Sequence, residues 1–425
     1  MSEAIDKPEP APTNSRWMNA DGRRVVMARA LRSFGYGFTS ILLGITLTSA
    51  GFSTIEVGLV LTAALVGDII AIILVALFAD RIGRRRVLVA LALLMVGSGL
   101  AFAFSRNLFV LLLAAFFGTL SPSSADNAPF AAIEQAILPQ TCAEERRTDA
   151  FARYNVMAQL AGAAGGLAVI LPDILHRTMG MDTAFAARAM FAGYALVALA
   201  MGTLFLSMSD KIEASSHGSR SLESRILKTG RPLQKSRGIV LRLAALFALD
   251  AFAGGLVVQT ILSLWFHMRF GVPLAVLGAL FFGTNLLAAF SFPVAAWLAK
   301  RIGLLNTMVF THLPSNFLLM LVPLMPTFPL AALCLLARQS LSQMDVPTRQ
   351  AYTMTLVAPE ERTAAASLTT MARSIALSLS PLLAGALLTG AVLALGLPFL
   401  LCGGLKAGYD LLLYSVFRKV KPPSS

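Results

Sequence analysis

The chain alternates between long apolar runs and short polar segments over its 425 residues. Each run has about the 20 residues that a helix needs to cross a bilayer. The pattern therefore predicts an all-α polytopic membrane protein with twelve transmembrane helices. These spans are 32–50, 56–79, 87–105, 108–138, 142–171, 184–207, 239–266, 273–299, 303–324, 328–357, 359–388 and 391–417.

Basic residues are distributed unevenly among the segments between the predicted spans. Most of the 35 Lys and Arg lie in the N-terminal tail, the even-numbered loops and the C-terminal tail. The odd-numbered loops hold only Arg106, Arg177 and Arg269. By the positive-inside rule, both termini and the 208–238 segment are predicted to be cytoplasmic. The net charge of +13 then reflects topology, and no nucleic-acid partner is expected.

Composition agrees with this class and excludes others. The chain is 56% hydrophobic and 13% charged, whereas soluble domains carry about 25% charged residues. Its start is acidic and Pro-rich, unlike a cleaved signal peptide, and three cysteines imply no disulfide framework. The short loops favour a bacterial cytoplasmic (inner) membrane. No HExxH or GxSxG set is present and the four His are scattered, so we expect no enzyme, no cofactor and no metal site.

The second half of the chain repeats the first at an offset of about 220 residues. Gly51 and Gly58 in GFSTIEVG correspond to Gly271 and Gly278 in GVPLAVLG, and LFADRIG corresponds to WLAKRIG. Such repeats are typical of transporters, whose substrate site lies at the repeat interface near the membrane midplane. The predicted organisation is a tail (1–31), a six-helix bundle (32–207), a basic linker (208–238), a second six-helix bundle (239–417) and a tail (418–425).

The loop after span 2 contains the most specific motif, ADRIGRRR. It resembles the Gly-x-x-x-Asp-Arg-x-Gly-Arg-Arg signature of the major facilitator superfamily, with Ala76 in place of the first Gly. The twelve spans, the repeat and the central basic loop resemble the same family, which implies its two-bundle fold. The resemblance also implies a cytoplasmic gate that closes against the start of span 11, at 359–362. The gate residues are Asp80, Arg81, Gly83, Arg84 and Arg85.

Spans 4 and 10 carry acids at matching positions. Asp126 and Asp345 are each followed closely by a proline. An ionisable side chain at the membrane centre costs about 2.5–3.5 kcal/mol, so it normally faces protein or water. Arg338, Asp345 and Arg349 also lie on one stripe of span 10. The family resemblance places spans 1, 4, 7 and 10 around a central cavity and implies that both acids face it.

The predicted proton and substrate pathway consists of Asp126, Asp345, Arg338, Arg349, Asp250 and Glu134. Asp345 has Arg349 one helical turn away, whereas Asp126 has no base on its own stripe. Because a nearby cation favours the anionic form, Asp126 is expected to take up a proton more readily, unless Arg338 or Arg349 reaches it across the cavity. The alternative is that these are fixed ion pairs between helices, and that Glu134 lies at the membrane interface.

Two further sets of charges are predicted to have structural roles. Asp68 in span 2 and Arg373 in span 11 lie at similar depth, and we expect a contact between the two halves, with Arg153 as a competing partner. Lys406 and Asp410 are spaced i, i+4 on span 12, which predicts a salt bridge within that helix.

The sequence therefore predicts a monomeric secondary transporter in the lipid bilayer that works by alternating access. The favoured activity is proton-coupled efflux of a small organic compound. Drug–proton antiporters of this family usually carry an Arg in span 4 and a Gly-Pro pair in span 5, which FFGTLSPSS and QLAGAAGG lack. Import by symport or facilitated diffusion stays open, as does metal or metalloid export through methionines and Cys334.

Overall fold

A computed structural model describes residues 18–123, 129–213, 236–358, 361–390 and 396–419. Within these ranges the chain is helical apart from short connections and one isolated bridge between Met18 and Cys142. The predicted all-α class is confirmed. Asp126 lies outside the described residues.

The first half contains eight of the described α-helices. They are α1 (Ala20–Ser49), α2 (Thr54–Ile82), α3 (Arg84–Phe104), α4 (Leu108–Phe117), α5 (Pro129–Ile137), α6 (Arg147–Leu167), α7 (Leu171–Met179) and α8 (Thr183–Leu206).

The second half contains another eight in its described ranges. They are α9 (Arg237–Gly255), α10 (Gln259–Phe270), α11 (Leu274–Ile302), α12 (Leu304–Leu321), α13 (Phe328–Ser342), α14 (Asp345–Leu356), α15 (Arg362–Leu387) and α16 (Leu397–Phe417).

Ten helical segments in the described part of the chain are long and apolar enough to cross a membrane. The first begins well before the apolar run, at Ala20, where the Asn19 side chain accepts a hydrogen bond from the Gly22 backbone N–H. We predicted this span from residue 32. The apolar pattern missed the start because the first turns of α1 carry Arg23, Arg24 and Arg29, which a capped helix accommodates.

The prolines after the predicted acids are expected to bend spans 4 and 10, and in the structure the helix of each span is interrupted. Span 10 breaks between α13 and α14 at Gln343 and Met344, just before Pro347. Span 4 ends its first helix at Phe117, and Thr119 then adopts a φ of 51°, which is unusual for a residue other than Gly. Proline removes a backbone donor and clashes with the preceding turn, which accounts for the break in span 10 beside Asp345 and Pro347.

Two ends of the bundle can be defined from hydrogen bonds. At the linker end, which contains Asp21, Gly83 and 208–213, the Ser209 hydroxyl donates to Asp21 and the Arg84 N–H donates to Glu213. The opposite end contains the α1–α2 turn at 50–53 and the α10–α11 turn at 271–273.

The halves meet near the opposite end through glycines. A Cβ added to Gly58 of α2 would lie 2.5 Å from the carbonyl oxygen of Pro381 in α15. A Cβ on Gly278 of α11 would lie 2.5 Å from the Gly166 carbonyl oxygen of α6. Small residues therefore let these backbones approach directly, which is the usual packing of membrane helices.

Adding a single methyl group to this junction should separate the halves at the opposite end. In a protein whose three native cysteines are replaced, we expect Gly58→Ala to raise the maleimide labelling rate of a Thr62→Cys reporter several-fold. The reason is that the added Cβ meets backbone, which cannot rotate away. Gly97→Ala is the matched control, because its Cβ meets no atom within 4 Å. Equal labelling in the two variants would contradict this role of Gly58.

Candidate functional site

A cavity of about 370 Å³ lies between the two halves. The first half contributes Leu65, Pro122, Ser123 and Gln159 to its wall. The second half contributes the charged residues of the wall, which are Asp250, Arg338, Arg373 and Lys406, together with amides such as Gln339 and Gln343. The volume is in the range of sites for small organic molecules.

Asp250 is the centre of the charged network in the second half. Its Oδ1 accepts from Lys406 Nζ at 2.5 Å, and its Oδ2 accepts from Arg373 at 3.0 Å and from Arg349 at 3.1 Å. These three bases come from α16, α15 and α14, so a single carboxylate on α9 joins four helices. The sequence placed no base near Asp250, and the packing of the helices supplies all three.

Arg349 connects Asp250 to the second predicted acid. It donates to Asp345 Oδ2 at 2.8 Å, so the expected i, i+4 pair on α14 is present. Asp345 is only 4% exposed and does not line the cavity, unlike Asp250. The described structure therefore brings Asp250 to the cavity wall and places Asp345 behind it.

The predicted salt bridge between Lys406 and Asp410 is wrong. Lys406 donates to Asp250, while Asp410 lies 2.9 Å from His312 Nδ1 and accepts from Asn316 Nδ2 at 2.9 Å. All of these side chains are buried. Lys406 has its partner on α9, and Asp410 has its partners on α12. These contacts between helices replace the predicted contact within α16.

A second buried ion pair lies in the first half. The Arg32 guanidinium donates through two nitrogens to the two oxygens of Glu134, each at 2.7 Å, and the Tyr154 hydroxyl donates to Glu134 at 2.6 Å. Arg32 and Glu134 are both 0% exposed, and the Arg32 guanidinium also stacks over the Phe130 ring. Glu134 is therefore enclosed by protein, and the cavity wall does not include it.

The structure does not form the predicted contact between Asp68 and Arg373. Arg373 pairs with Asp250, and Arg153 is exposed. Asp68 is 8% exposed, and its Oδ1 has no hydrogen-bond partner within the described residues. Gly67 beside it packs against the Phe116 backbone.

The gate motif is engaged within the first half. Asp80 accepts from Arg84 at 2.8 Å, and Gly83 has a φ of 107° that favours glycine. The Glu213 carboxylate accepts from the backbone N–H groups of Arg84 and Arg85. Arg81 lines a pocket of about 410 Å³ together with Arg85 and Glu213. At the start of α15, Glu361 accepts from the Ser236 N–H, while 359–360 lie outside the described residues.

Four buried polar residues that form ion pairs or hydrogen bonds in the structure were not predicted as site residues from the sequence. Arg32 was counted only as the first residue of a span. His312 and Asn316 are four residues apart and so form a polar pair on one face of span 9, which was a usable signal. The missed residues are Arg32, Tyr154, His312 and Asn316.

Comparisons with known proteins agree with this architecture. The family model described as Major Facilitator Superfamily matches residues 25–381. An uncharacterized membrane protein of Saccharomyces cerevisiae, YJR124C, is 26% identical over 417 residues, covering 92% of each chain.

Solved structures resemble the chain over nearly its full length. A mutant of the nucleoside transporter NupG superposes with a TM-score of 0.72 at 11% identity, covering 94% of this chain and 100% of that one. The xylose transporter XylE from E. coli, in an inward open conformation, gives 0.69 at 13% identity, covering 95% and 98%. At these identities the likeness concerns the fold. Because the family match spans most of the chain and the helices adopt the same fold, this protein belongs to the major facilitator superfamily.

Proposed function

We propose that the protein is a secondary active transporter that moves a small organic compound through the cavity between its halves by alternating access. The supporting observation is the cavity itself, whose wall combines Leu65 and Gln159 of one half with Asp250 and Arg338 of the other. A solute in this position contacts both halves. Its binding can therefore favour one relative arrangement of the halves over the other, as coupling requires.

The direction that we propose is export from the cytoplasm. The glycine contacts near Gly58 and Gly278 join the halves between the cavity and the end of the bundle opposite the linker. The positive-inside distribution puts the linker end in the cytoplasm, so this arrangement suits loading from that side. Uptake is the second candidate. It is favoured by the absence of the antiporter residues from spans 4 and 5, and the structural neighbours include a D-xylose-proton symporter.

The coupling ion that we propose is the proton, carried by a buried carboxyl group. Asp126 and Asp345 stay our candidates, although Asp345 already pairs with Arg349. Asp68 joins them because its Oδ1 is buried without a hydrogen-bond partner in the part of the chain that the structure describes. An unpaired buried charge is costly, and a bound proton would remove that cost.

Proton coupling and direction can be tested together in liposomes that contain a pH-sensitive dye. Candidate organic solutes are added outside, and the lumenal pH is followed. We expect a transported solute to make the lumen more alkaline, because antiport moves protons out as solute enters. Acidification would instead indicate symport and support uptake.

The carboxyl assignment is tested with Asp68→Asn, Asp126→Asn and Asp345→Asn in the same assay. At least one variant should lose the pH signal while it still exchanges solute between the two sides. Glu144→Gln serves as control, since its salt bridge with Arg147 is exposed and lies outside the cavity wall. Full proton coupling in all three variants would rule out this set of carriers. Solute flux without any pH change would rule out protons as the coupling ion.

A further inference from the structure

Arg338 differs from the other bases of the cavity wall. Its one described hydrogen bond runs from Nη1 to the amide oxygen of the adjacent Gln339, at 3.2 Å. Its Nε is buried without a hydrogen-bond partner within the described residues, and none of their ion pairs includes Arg338. A partly buried guanidinium without a carboxylate is unfavourable unless some other anion approaches it.

Among the described residues, the neighbouring charges do not supply that anion. Of the charged residues in the cavity wall, three are bases and one is an acid. That acid, Asp250, already accepts hydrogen bonds from Lys406, Arg373 and Arg349. Asp345 accepts from Arg349. The described wall therefore carries an excess of positive charge, and Arg338 is the base in it that has no carboxylate partner among the described residues.

The rest of the wall indicates the size and character of a ligand. Apolar surface comes from Leu65, Phe281, Phe292 and Leu335, and the cavity measures about 370 Å³. This volume is larger than an inorganic ion needs and is in the range of small organic ligands. Apolar walls beside a cationic group suit a molecule with an anionic head and an apolar body.

We propose that the cavity binds a small organic acid whose anionic group contacts Arg338. The proposal rests on the proposed transport function and names its substrate class. A guanidinium presents parallel N–H groups that match the two oxygens of a carboxylate, and such charge-assisted bonds are about twice as strong as neutral ones. Leu65 and Phe292, which come from opposite halves, would contact the apolar body, so the ligand would join the two halves.

Three probes of nearly equal shape separate charge from size: benzoate, benzamide and benzamidine. Their binding to the full-length protein in detergent is measured by thermal shift and calorimetry, with inorganic phosphate as a fourth probe. We expect benzoate to bind and to raise the melting temperature, whereas benzamide and benzamidine do not. Arg338→Gln should weaken benzoate binding about tenfold or more, and Arg338→Lys should weaken it less. The control is Arg106→Gln, an exposed residue outside the cavity wall, which should bind benzoate normally.

Several outcomes would overturn the inference. These are no benzoate binding at millimolar concentration, equal binding of benzamide or benzamidine, binding of phosphate alone, or unchanged benzoate binding in Arg338→Gln. The melting temperature of each unliganded variant shows whether weaker binding reflects misfolding. Arg338→Lys is the second check, because it keeps a positive charge at this position. Failure of the transport proposal gives a different result, because benzoate would bind normally while solute flux would equal that of liposomes without the protein.

Discussion

Asp250→Asn should lower the free energy of unfolding by roughly 3–5 kcal/mol, because it leaves the buried Lys406 and the partly buried Arg373 without their carboxylate. Asparagine has nearly the same shape as aspartate, so the loss reports charge and not volume. Arg349 keeps a partner in Asp345, which limits the damage on that side of the network. The measurement is SDS-induced unfolding of the purified protein in mixed micelles.

Two comparison variants make this prediction specific. Asp80→Asn removes a partly exposed acid from an i, i+4 pair and should cost less than about 1 kcal/mol. The double variant Asp250→Asn with Lys406→Met removes both members of a buried pair and should recover part of the lost stability. If Asp250→Asn were as stable as Asp80→Asn, the network around Asp250 would not be the electrostatic centre that the contacts indicate.

The second large effect is expected for Glu134→Gln in the first half. Arg32 would lose two charge-assisted hydrogen bonds of 2.7 Å at a site where both side chains are 0% exposed. We again expect a loss of roughly 3–5 kcal/mol. Because water and ions do not reach the pair, added salt should change the loss little, in contrast to a surface pair. SDS unfolding at low and high ionic strength checks both statements.

Replacing both members of this pair tests whether charge alone is responsible. Arg32→Met with Glu134→Leu keeps the volume apolar, and it should be much closer to the wild-type stability than Glu134→Gln is. The exposed pair of Arg146 and Asp149 is the matched control, and Asp149→Asn there should have little effect. A double variant as unstable as the single one would show that packing around Tyr154 matters more than the ion pair.

The two networks differ in their relation to the cavity. Asp250 lines it, while Glu134 is enclosed among α1, α5 and α6 and does not. Substitution of Asp250 should therefore alter both stability and the charge that a ligand meets. Substitution of Glu134 should alter mainly stability. The two acids were predicted to share one pathway. The difference between the substitutions would assign a pathway role to Asp250 and a role in assembly to Glu134.

Several features of the protein could be predicted because they depend on residues close together in the chain. Apolar run length predicted the helical class and most of the spans, and the repeat together with ADRIGRRR predicted the family. The pair of Asp345 and Arg349 was also predictable, because a spacing of four residues on one helix determines that contact. The role of Asp126 stays a prediction.

The sequence by itself determined the fold class, since hydrophobic periodicity and length decide which segments can enter a bilayer as helices. Only the tertiary structure decided the partners of the buried charges. Spacing along span 12 suggested Lys406 with Asp410, and depth suggested Asp68 with Arg373, yet Asp250 receives both bases. The physical reason is that pairing between helices depends on where and at what angle they cross. The crossing points depend on contacts far apart in the chain. Examples are the packing around Gly58 and Gly278 and the breaks in spans 4 and 10.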